Sequence, residues 1–509
     1  MTSTVQSPTS TYERLISHAR ELALLRSTES LLEWDDRTKL PPAGGPYRAE
    51  QVSYLAGFIH RHQTAPQVGE WLAELADGPL AADSHSDTGA VIRNLKRDYD
   101  KKTKLPQALV EELAKIRTLG QQVWAEARKA NDFARFLPLL ERTIELKRQE
   151  AAALGYDDVP YDALLDEYEP GEKTANVRRV LAELREQLVP LVQAIVESGQ
   201  RPNLEILKRS FPVAAQDTFG RRAAELIGFD FTAGRLDTTD HPFCTTNGPR
   251  DVRLTTRYFE RFLPSALFST LHEAGHGIYE QGLPAENFGL PTGEAVSLGI
   301  HESQSRMWEN LVGRSRAFWE HLYPEAQRSF SESLADVPLD DFYFAINDAR
   351  PSLIRVEADE ATYNLHIMVR FELEQALLED DLRVADLPAA WRAKYREYLG
   401  IEPPDDADGV LQDVHWSAGL IGYFPTYSLG NLYASQLFEQ AQQVLGDLPA
   451  MFRRGEFQPL RDWLRQHLHQ HGRRYSPPEL IERITGQPLS HDALMRHLRN
   501  KFTPLYGLA

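Results

Sequence analysis

The sequence has little of what would cross-link the chain or insert it into a membrane. It contains one cysteine, Cys244, among 509 residues, which excludes an intramolecular disulfide framework and is typical of a reducing cytoplasm. No uninterrupted apolar segment is long enough to span a bilayer. The N-terminus lacks a basic start followed by an apolar core. We therefore expect a cytoplasmic protein without a membrane partner, in which Cys244 is a small packed residue near a strand.

The chain also has fewer basic than acidic residues. The chain has 56 Lys and Arg against 74 Asp and Glu, which gives a formal net charge of -18. Because binding to a phosphate backbone depends on clustered Lys and Arg, this balance argues against nucleic acid as a partner. It says little about a peptide substrate.

The sequence lacks long linkers, internal repeats and low-complexity tracts. Its Pro- and Gly-rich stretches, at residues 40–46, 403–409 and 476–478, are short, as expected of loops between helices. A chain of 509 residues with 42% hydrophobic content can bury a large core, and length alone would allow about two to four domains. Since no boundary is visible, we expect one domain with two lobes over residues 11–509, after a disordered polar tail over residues 1–10.

Apolar residues recur at helical spacing along most of the chain, for example in residues 15–25, 52–59 and 109–123. This spacing predicts a mostly α protein. The exception is residues 244–256, where two β-branched runs flank an Asn-Gly-Pro turn at 247–249. That pattern predicts a small β-hairpin, whose edge strand could pair with an extended peptide through backbone hydrogen bonds.

The most informative feature that the chain does have is an HExxH motif at residues 272–276. Residues four apart on a helix have Cβ atoms about 5–6 Å apart, so His272 and His276 could bind the same metal ion. Start and stop signals and an apolar stripe place the motif in the middle of a helix. Glu273 then projects beside the metal, where it could accept a proton from water. The pattern is typical of a zinc hydrolase, and the alternative is a chance match in a helix with two partly exposed histidines.

A catalytic zinc site needs a third protein ligand, which in one class of HExxH enzymes is a Glu on the next helix. The run at residues 294–306 reads as helical, with Glu302 near its middle. We predict Glu302 as the third ligand, in which case His301 points elsewhere. Glu294 is the alternative, but it follows Gly293 at the expected helix start, where a carboxylate often only favours the helix dipole.

Several motifs occur together in the order that is typical of one enzyme family. They are DVRLT at 251–255, HEAGH at 272–276, HESQS at 301–305, IRVEAD at 354–359 and GVLQDVHW at 409–416. On these motifs the chain resembles peptidase family M32, the HExxH carboxypeptidases typified by thermostable carboxypeptidase Taq. Residues 32–48 and 463–489 also look like family sequence, so the resemblance covers nearly the whole chain.

The resemblance implies a mostly α, gluzincin-like and neurolysin-like fold, in which two helical lobes flank a deep active-site cleft and the small hairpin lies next to the zinc helix. It also implies a homodimer, zinc as the metal with cobalt as a possible substitute, and release of single amino acids from the C-termini of peptides. Such a cleft would admit short or unfolded peptides with a free C-terminus. No motif marks a pocket for the side chain of the substrate's last residue.

The same resemblance implies roles for individual residues. Glu273 is expected to act as general base toward metal-activated water and then as general acid toward the leaving amine. His415 in QDVHW and Tyr423 in GYFPTY are expected to stabilise the negative oxygen that forms, with Tyr427 as the alternative tyrosine. For each aromatic residue alone, core packing would be the ordinary role.

Recognition of a free C-terminus calls for a guanidinium group, which binds a carboxylate through two parallel hydrogen bonds. Arg355 of IRVEAD is the first candidate and Arg253 of DVRLT the second. For either arginine the alternative is an internal ion pair, for example with Asp359 or Asp251. His241 is a weaker candidate for substrate contact, and Asp413 is expected to orient a histidine without binding the metal itself.

A run of alternating histidines, His467, His469 and His471, does not enter this site. In a helix only the first and last of them share a face, and no carboxylate accompanies them. We interpret the run as a solvated helix end.

Two other functions stay open on the sequence alone. An oligopeptidase with the same motif would cut internally and would not need Arg355 or Arg253. A helical binding protein with a metal site that does not turn over is the non-enzyme alternative. The intact Glu273 argues against it, because a structural metal site has no use for a base.

Overall fold

The computed structural model describes residues 8–508, and helices dominate it, as the apolar spacing predicts. The first nine helices are α1 (Pro8–Thr38), α2 (Gly45–Gln63), α3 (Pro66–Ala76), α4 (Asp87–Lys104), α5 (Gln107–Ala130), α6 (Phe133–Leu154), α7 (Pro160–Tyr168), α8 (Thr174–Glu197) and α9 (Val213–Ile227). The disorder predicted for residues 1–10 falls mostly outside the described residues. Among those that are described, every helix is too short or too polar to cross a bilayer.

A small sheet interrupts the helices. It contains β1 (Gly234–Thr238), β2 (Cys244–Thr246) and β3 (Val252–Thr256) in the order β1-β3-β2. The antiparallel pair of β2 and β3 is the predicted hairpin, with Cys244 opposite Leu254. The parallel strand β1 was not predicted, because it offers only one inward apolar residue, Leu236, between the charged Arg235 and Asp237.

Twelve further helices follow the sheet. They are α10 (Leu263–Gly282), α11 (Leu298–Arg306), α12 (Arg316–Ser329), α13 (Ser331–Leu334), α14 (Leu339–Ile346), α15 (Tyr363–Leu378), α16 (Leu387–Leu399), α17 (Pro425–Leu445), α18 (Leu448–Arg453), α19 (Gln458–His467), α20 (Pro477–Thr485) and α21 (Asp492–Tyr506). A single π-helical turn, Met307–Val312, continues α11.

The buried apolar side chains of the described residues form one large core and two small ones. A small core at the N-terminal end joins α1, α3 and α4, and it contains Leu15, Leu72 and Ile92. The main core joins helices α5 to α21 and the sheet, and α10 runs through it. Each fully buried aliphatic side chain stabilises such a core by about 1.5–3 kcal/mol.

The close packing of α10, α11 and α17 depends on two glycines. A Cβ atom on Gly275 would lie 2.5 Å from the carbonyl oxygen of Gln304, and one on Gly430 would lie 2.5 Å from Cγ of Glu302. Helix α11 is therefore held between α10 and α17 at a distance that no larger residue permits. This packing brings the middle of α11 against the HExxH segment.

Candidate active site

Three side chains from two helices meet at a point suited to a metal ion. His272 and His276 lie one turn apart on α10, and Glu302 lies on α11. One ligand atom from each residue lies within 4.8 Å of the other two. The Nε2 atoms of His272 and His276 are 3.6 and 3.5 Å from Oε2 of Glu302. Two imidazoles and a carboxylate are the protein donors of one class of catalytic zinc site, so these residues fit the predicted metal.

The far side of each imidazole is held by an acceptor. Nδ1 of His272 lies 2.8 Å from Oε2 of Glu309, and Nδ1 of His276 lies 3.0 Å from the carbonyl oxygen of His301. Donation from Nδ1 leaves the lone pair of Nε2 free to face the shared point. Glu309 belongs to the π-helical turn, an irregularity that often occurs at functional sites.

Glu302 is held in its ionised form by its own helix. Nε of Arg306 donates to Oε1 at 2.7 Å, and Oγ of Ser305 donates to Oε2 at 2.9 Å. Burial alone would raise the pKa of Glu302, but Arg306 and His272 outweigh burial and hold the pKa well below its usual range. Arg306 in turn lies over the ring of Tyr363, 4.4 Å from its centroid.

Glu273, between the two histidines in sequence, is only 6% exposed. Burial raises the pKa of its carboxyl to about 7, with His272 opposing the increase and Glu302 adding to it. A carboxyl that gains and loses a proton near neutral pH can act in turn as base and acid.

A second group of charges lies around Arg355, which is 5% exposed. Its Nε and one terminal nitrogen donate to Oδ1 of Asp413 at 3.0 and 2.8 Å, and its other terminal nitrogen donates to the hydroxyl of Tyr363 at 2.9 Å. Arg355 therefore has an internal ion pair, but its partner is Asp413. Asp359, one of the partners considered from sequence, instead accepts a hydrogen bond from Thr362.

One carboxylate serves two arginines in this group. Asp413 also accepts from Nε of Arg370 at 2.6 Å. The terminal nitrogens of Arg370 donate to the carbonyl of His366 at 2.7 Å and to the side-chain oxygen of Gln412 at 2.8 Å. Two guanidinium groups against one carboxylate leave a surplus positive charge, which favours binding of an additional anion. Arg370 is fully buried, so Arg355 is the better placed of the two for that role.

The expected aromatic residues are brought together beside Arg355. Nε2 of His415 lies 3.3 Å from the hydroxyl of Tyr427, and the ring of Tyr423 lies 5.4 Å from each of these two rings. Arg355 lies 5.0 Å from the ring centroid of Tyr427. All three expected residues therefore lie together, and Tyr427 lies next to Arg355.

His415 is held uncharged in this environment. The pKa of its imidazole is lowered to about 4, mainly by burial; Asp413 opposes this decrease, and Arg355 and Arg370 contribute to it. Asp413 lies 3.8 Å from Nδ1 of His415, which is too long for a hydrogen bond. The expectation that Asp413 orients a histidine is wrong, because the two arginines occupy its oxygens.

Comparison with known proteins assigns the chain to a family. The family model described as Carboxypeptidase Taq (M32) metallopeptidase matches residues 14–502. The chain belongs to family M32. Thermostable carboxypeptidase 1 of Thermus thermophilus is 48% identical over 98% of this chain and 100% of that protein. Carboxypeptidase 1 of Bacillus subtilis is 40% identical over 94% of this chain and 95% of that protein.

Solved M32 structures agree with the fold. The M32 carboxypeptidase of Deinococcus radiodurans superposes with a TM-score of 0.95 at 43% identity, covering 98% of this chain and 99% of that one. The carboxypeptidase of Pyrococcus furiosus superposes with a TM-score of 0.93 at 33% identity, covering 98% and 100%. The predicted mostly α M32 fold with a small sheet, and a metallocarboxypeptidase as its class of enzyme, are confirmed.

Two expected substrate contacts of this M32 chain are less directly supported. Arg253 pairs with the neighbouring Asp251 at 2.8 and 2.9 Å and lies 4.3 Å above the ring of Trp34. Its guanidinium is therefore already engaged by a carboxylate without the surplus charge seen at Arg355. His241 is exposed between β1 and β2, and no hydrogen bond or ion pair within residues 11–508 joins its side chain to the site.

Glu294, the alternative third ligand, pairs with an arginine away from the two histidines. Glu294 precedes α11 and accepts from Arg473 at 3.0 Å, while Arg473 also binds Asp98 of α4. Glu294 thus belongs to a contact between α4 and the segment after α19. Cys244 begins β2 and is partly buried against the main core, as expected of a small packed residue near a strand.

The interpretation of the alternating histidines as a solvated helix end is wrong for His469. Helix α19 ends at His467, and the chain then folds beneath the end of α10. His469 is fully buried, and its Nε2 lies 3.0 Å from the side-chain oxygen of Gln304. Helical spacing failed here because the helix stops inside the motif.

Sequence reasoning missed three residues that support the M32 site. Glu309 and Arg306 hold His272 and Glu302, and Arg370 completes the charge group of Arg355. A signal for two of them was present: Arg306 and Glu309 lie four and seven residues beyond Glu302, which is the spacing of one helical face. No comparable signal points to Arg370.

Proposed function

We propose that this M32 chain releases single amino acids from the free C-termini of peptides by hydrolysing the last peptide bond. The observation that carries the proposal is the link between Arg355 and the metal ligands. Arg355 donates to the hydroxyl of Tyr363, and Arg306, which holds Glu302, lies over the same ring. Only the side chain of Tyr363 would therefore separate a carboxylate bound by Arg355 from the group that holds the metal ligand Glu302. This arrangement suits an enzyme that cuts next to a chain end.

His272, His276 and Glu302 are the proposed ligands of a zinc ion, with cobalt as a possible substitute. A divalent cation bound there would polarise the scissile carbonyl and favour loss of a proton from water near neutral pH. Glu309 and the carbonyl of His301 support the assignment, because they engage the Nδ1 atoms and leave each Nε2 free.

Glu273 moves the proton in this proposal. It accepts a proton from the attacking water and then donates it to the nitrogen of the departing amino acid. The raised pKa of Glu273, about 7, supports both halves of the cycle, since neither protonation state is strongly disfavoured near neutral pH.

Tyr423 and His415 are the proposed donors to the negative oxygen that forms when the carbonyl is attacked. The hydroxyl of Tyr423 is a donor because burial raises its pKa above the usual value. His415 is uncharged, so it donates from one ring nitrogen only. Tyr427 and Arg355 bind the substrate's end, and Arg253 and His241 are proposed as more distant contacts.

The experiment that tests the proposal compares a short peptide with a free C-terminus and its C-terminal amide. Each is incubated with the protein and zinc or cobalt, and the products are identified by mass spectrometry. Stepwise loss of residues from the free acid alone supports the carboxypeptidase. Internal cuts in both peptides would instead indicate an oligopeptidase, and no cleavage with either metal would favour a binding protein.

Three further features complete the proposal. Residues 11–509 form a single catalytic domain, which is supported by the absence of a linker in the sequence.

The protein is a homodimer, as the resemblance to M32 implies, and sedimentation velocity at several concentrations tests this directly. Its single cysteine supports a cytoplasmic location.

A further inference from the structure

Glu374, on α15, is a fully buried carboxylate that takes no part in the chemistry described above. Its Oε1 accepts from Nε1 of Trp416 at 2.8 Å. Its Oε2 accepts from the backbone N–H of Gly422 at 3.1 Å and from the hydroxyl of Tyr161 at 2.6 Å. Two of these three donors belong to the same loop, which connects His415 to Tyr423.

The positions of the two loop donors are informative. Trp416 directly follows His415, and Gly422 directly precedes Tyr423. The carboxylate therefore binds the loop one residue inside each of its two proposed transition-state donors. Between these anchors the chain makes a short 3-10 turn, Trp416–Ala418, and Gly422 adopts a φ of +89°.

The other side of the loop is fixed by α7. A Cβ atom on Gly422 would lie 2.8 Å from the carbonyl carbon of Leu164, so the loop is pressed against that helix at this point. The hydroxyl of Tyr161, on the same helix, donates to Glu374. Packing limits how closely the loop approaches α7, and the carboxylate limits how far its two ends can separate.

We propose that Glu374 is a positioning residue for His415 and Tyr423. It fixes the separation of these two residues by binding both ends of the loop between them, so that both reach the same substrate oxygen. The proposal rests on the proposed function, because it takes His415 and Tyr423 to be the donors in the transition state.

A carboxylate is needed here, and an amide does not replace it. The indole of Trp416 and the N–H of Gly422 can only donate, and they bind different oxygens of Glu374. A glutamine has one acceptor oxygen, so its amide group must face one of these donors. Tyr161 differs, because its hydroxyl can rotate and accept.

The test is the steady-state kinetics of Glu374→Gln on a free-acid peptide, at a temperature where the variant is folded by circular dichroism. We expect kcat to fall by about 10- to 100-fold, since loss of one oxyanion donor alone costs on the order of 100- to 1000-fold. We expect KM to stay within about twofold, because Arg355 is held by Asp413, Gln412 and Tyr363 without Glu374.

Two further variants separate positioning from stability. Trp416→Phe removes one of the two loop bonds and should also lower kcat without raising KM. Tyr161→Phe removes the third donor but leaves both loop bonds, so it should reduce the melting temperature while kcat stays within about twofold of wild type. If Trp416→Phe and Tyr161→Phe lower the melting temperature equally but only Trp416→Phe lowers kcat, the hydrogen bonds to the loop are the cause of the lower kcat.

A double-mutant cycle supplies the decisive readout. If Glu374 acts through Tyr423, the effect of Glu374→Gln on kcat should shrink by at least about threefold in a Tyr423→Phe background. Fully additive effects, or an unchanged kcat for folded Glu374→Gln, would overturn the inference.

The two proposals fail in different ways. If Tyr423→Phe and His415→Gln both leave kcat unchanged in the otherwise wild-type enzyme, the proposed function of these residues fails. If they lower kcat and the Glu374 variants do not, only the inference about Glu374 is overturned.

Discussion

At the scale of single residues, the three proposed metal ligands differ from the groups that hold their side chains in place. The position of Glu302 beside His272 and His276 could be predicted from sequence, because its helix is the next α-helix after the HExxH helix and offers few carboxylates. Arg370 could not be predicted, since its role depends on Asp413, which lies 43 residues away and binds it only in the folded chain. Motif spacing thus predicts contacts within one helix or between successive helices, but not the charge balance among distant segments.

The role of Glu273 predicts a specific effect of Glu273→Gln. The amide has nearly the same shape but cannot accept a proton, so kcat should fall by about 100- to 10 000-fold, the range of general acid–base catalysis. The proposed ligands His272, His276 and Glu302 are unchanged, so metal content measured by mass spectrometry should match wild type. Normal activity in the substituted enzyme would contradict the assignment of Glu273 as the base.

The proposed role of Arg355 predicts that Arg355→Gln impairs the hydrolysis of peptides with a free C-terminus. Loss of a charge-assisted hydrogen bond costs about 1.5–3 kcal/mol, so kcat/KM should fall by about 10- to 150-fold. Asp413 keeps Arg370 as its partner, so the variant should fold. Arg253→Gln is the matched control and should lose much less activity, because Arg253 has Asp251 as its own counter-ion whereas Arg355 shares Asp413 with Arg370. Equal losses in the two variants would contradict the preference for Arg355.

At the scale of secondary-structure elements, the predictable parts have local signals. Helix α10 has a proline at its start and an apolar stripe, and the hairpin of β2 and β3 has its turn residues. The π-helical turn has no such signal, since it depends on how α11 packs between α10 and α17. The end of α19 inside the histidine run was missed for the same reason: the following segment turns to pack under α10.

The crossing of α10 and α11 predicts that Gly275→Ala is destabilising. The added methyl group would lie 2.5 Å from the carbonyl oxygen of Gln304 and 2.7 Å from Cα of Ser305. Both are backbone atoms that cannot rotate away, so α11 must shift at a cost of about 1–3 kcal/mol. Because α11 contains Glu302, the affinity for zinc in a chelator competition should fall as well.

The control for Gly275 is Gly57→Ala. Gly57 lies inside α2, and only a terminal nitrogen of the flexible Arg61 side chain lies within 4 Å of an added Cβ, at 3.5 Å. Alanine there should leave stability unchanged or raise it by up to about 1 kcal/mol, because it reduces the entropy of the unfolded chain. If both variants lose stability and zinc equally, the close approach of the two helices is not the cause.

At the scale of the whole molecule, buried carboxyl groups link stability to pH. Glu169, fully buried after α7, accepts hydrogen bonds from the hydroxyl of Ser297 and the N–H of Gly299 at the start of α11. Burial raises the pKa of Glu169 from its usual 4.5 to about 8, although these hydrogen bonds oppose the increase. The folded chain therefore keeps this proton over a range in which the unfolded chain has lost it.

The sign of the resulting effect follows from this difference in protonation. The stability due to the proton on Glu169 is complete below its unfolded pKa of 4.5 and is lost as the pH rises through about 8. The slope is at most about 1.4 kcal/mol per pH unit for one proton. Glu169→Gln mimics the protonated form, so its melting temperature should decline less than that of wild type between pH 5 and pH 8, as differential scanning calorimetry can measure.

Asp166→Asn is the control for this pH effect. Burial would raise the pKa of Asp166, but Lys101 and Arg97 outweigh burial and lower it to about 2. Folded and unfolded chains are then both ionised at this position between pH 5 and pH 8, so the difference in melting temperature between wild type and this variant should stay constant. A constant difference for Glu169→Gln as well would mean that Glu169 is ionised in the folded chain, held by the donors of Ser297 and Gly299.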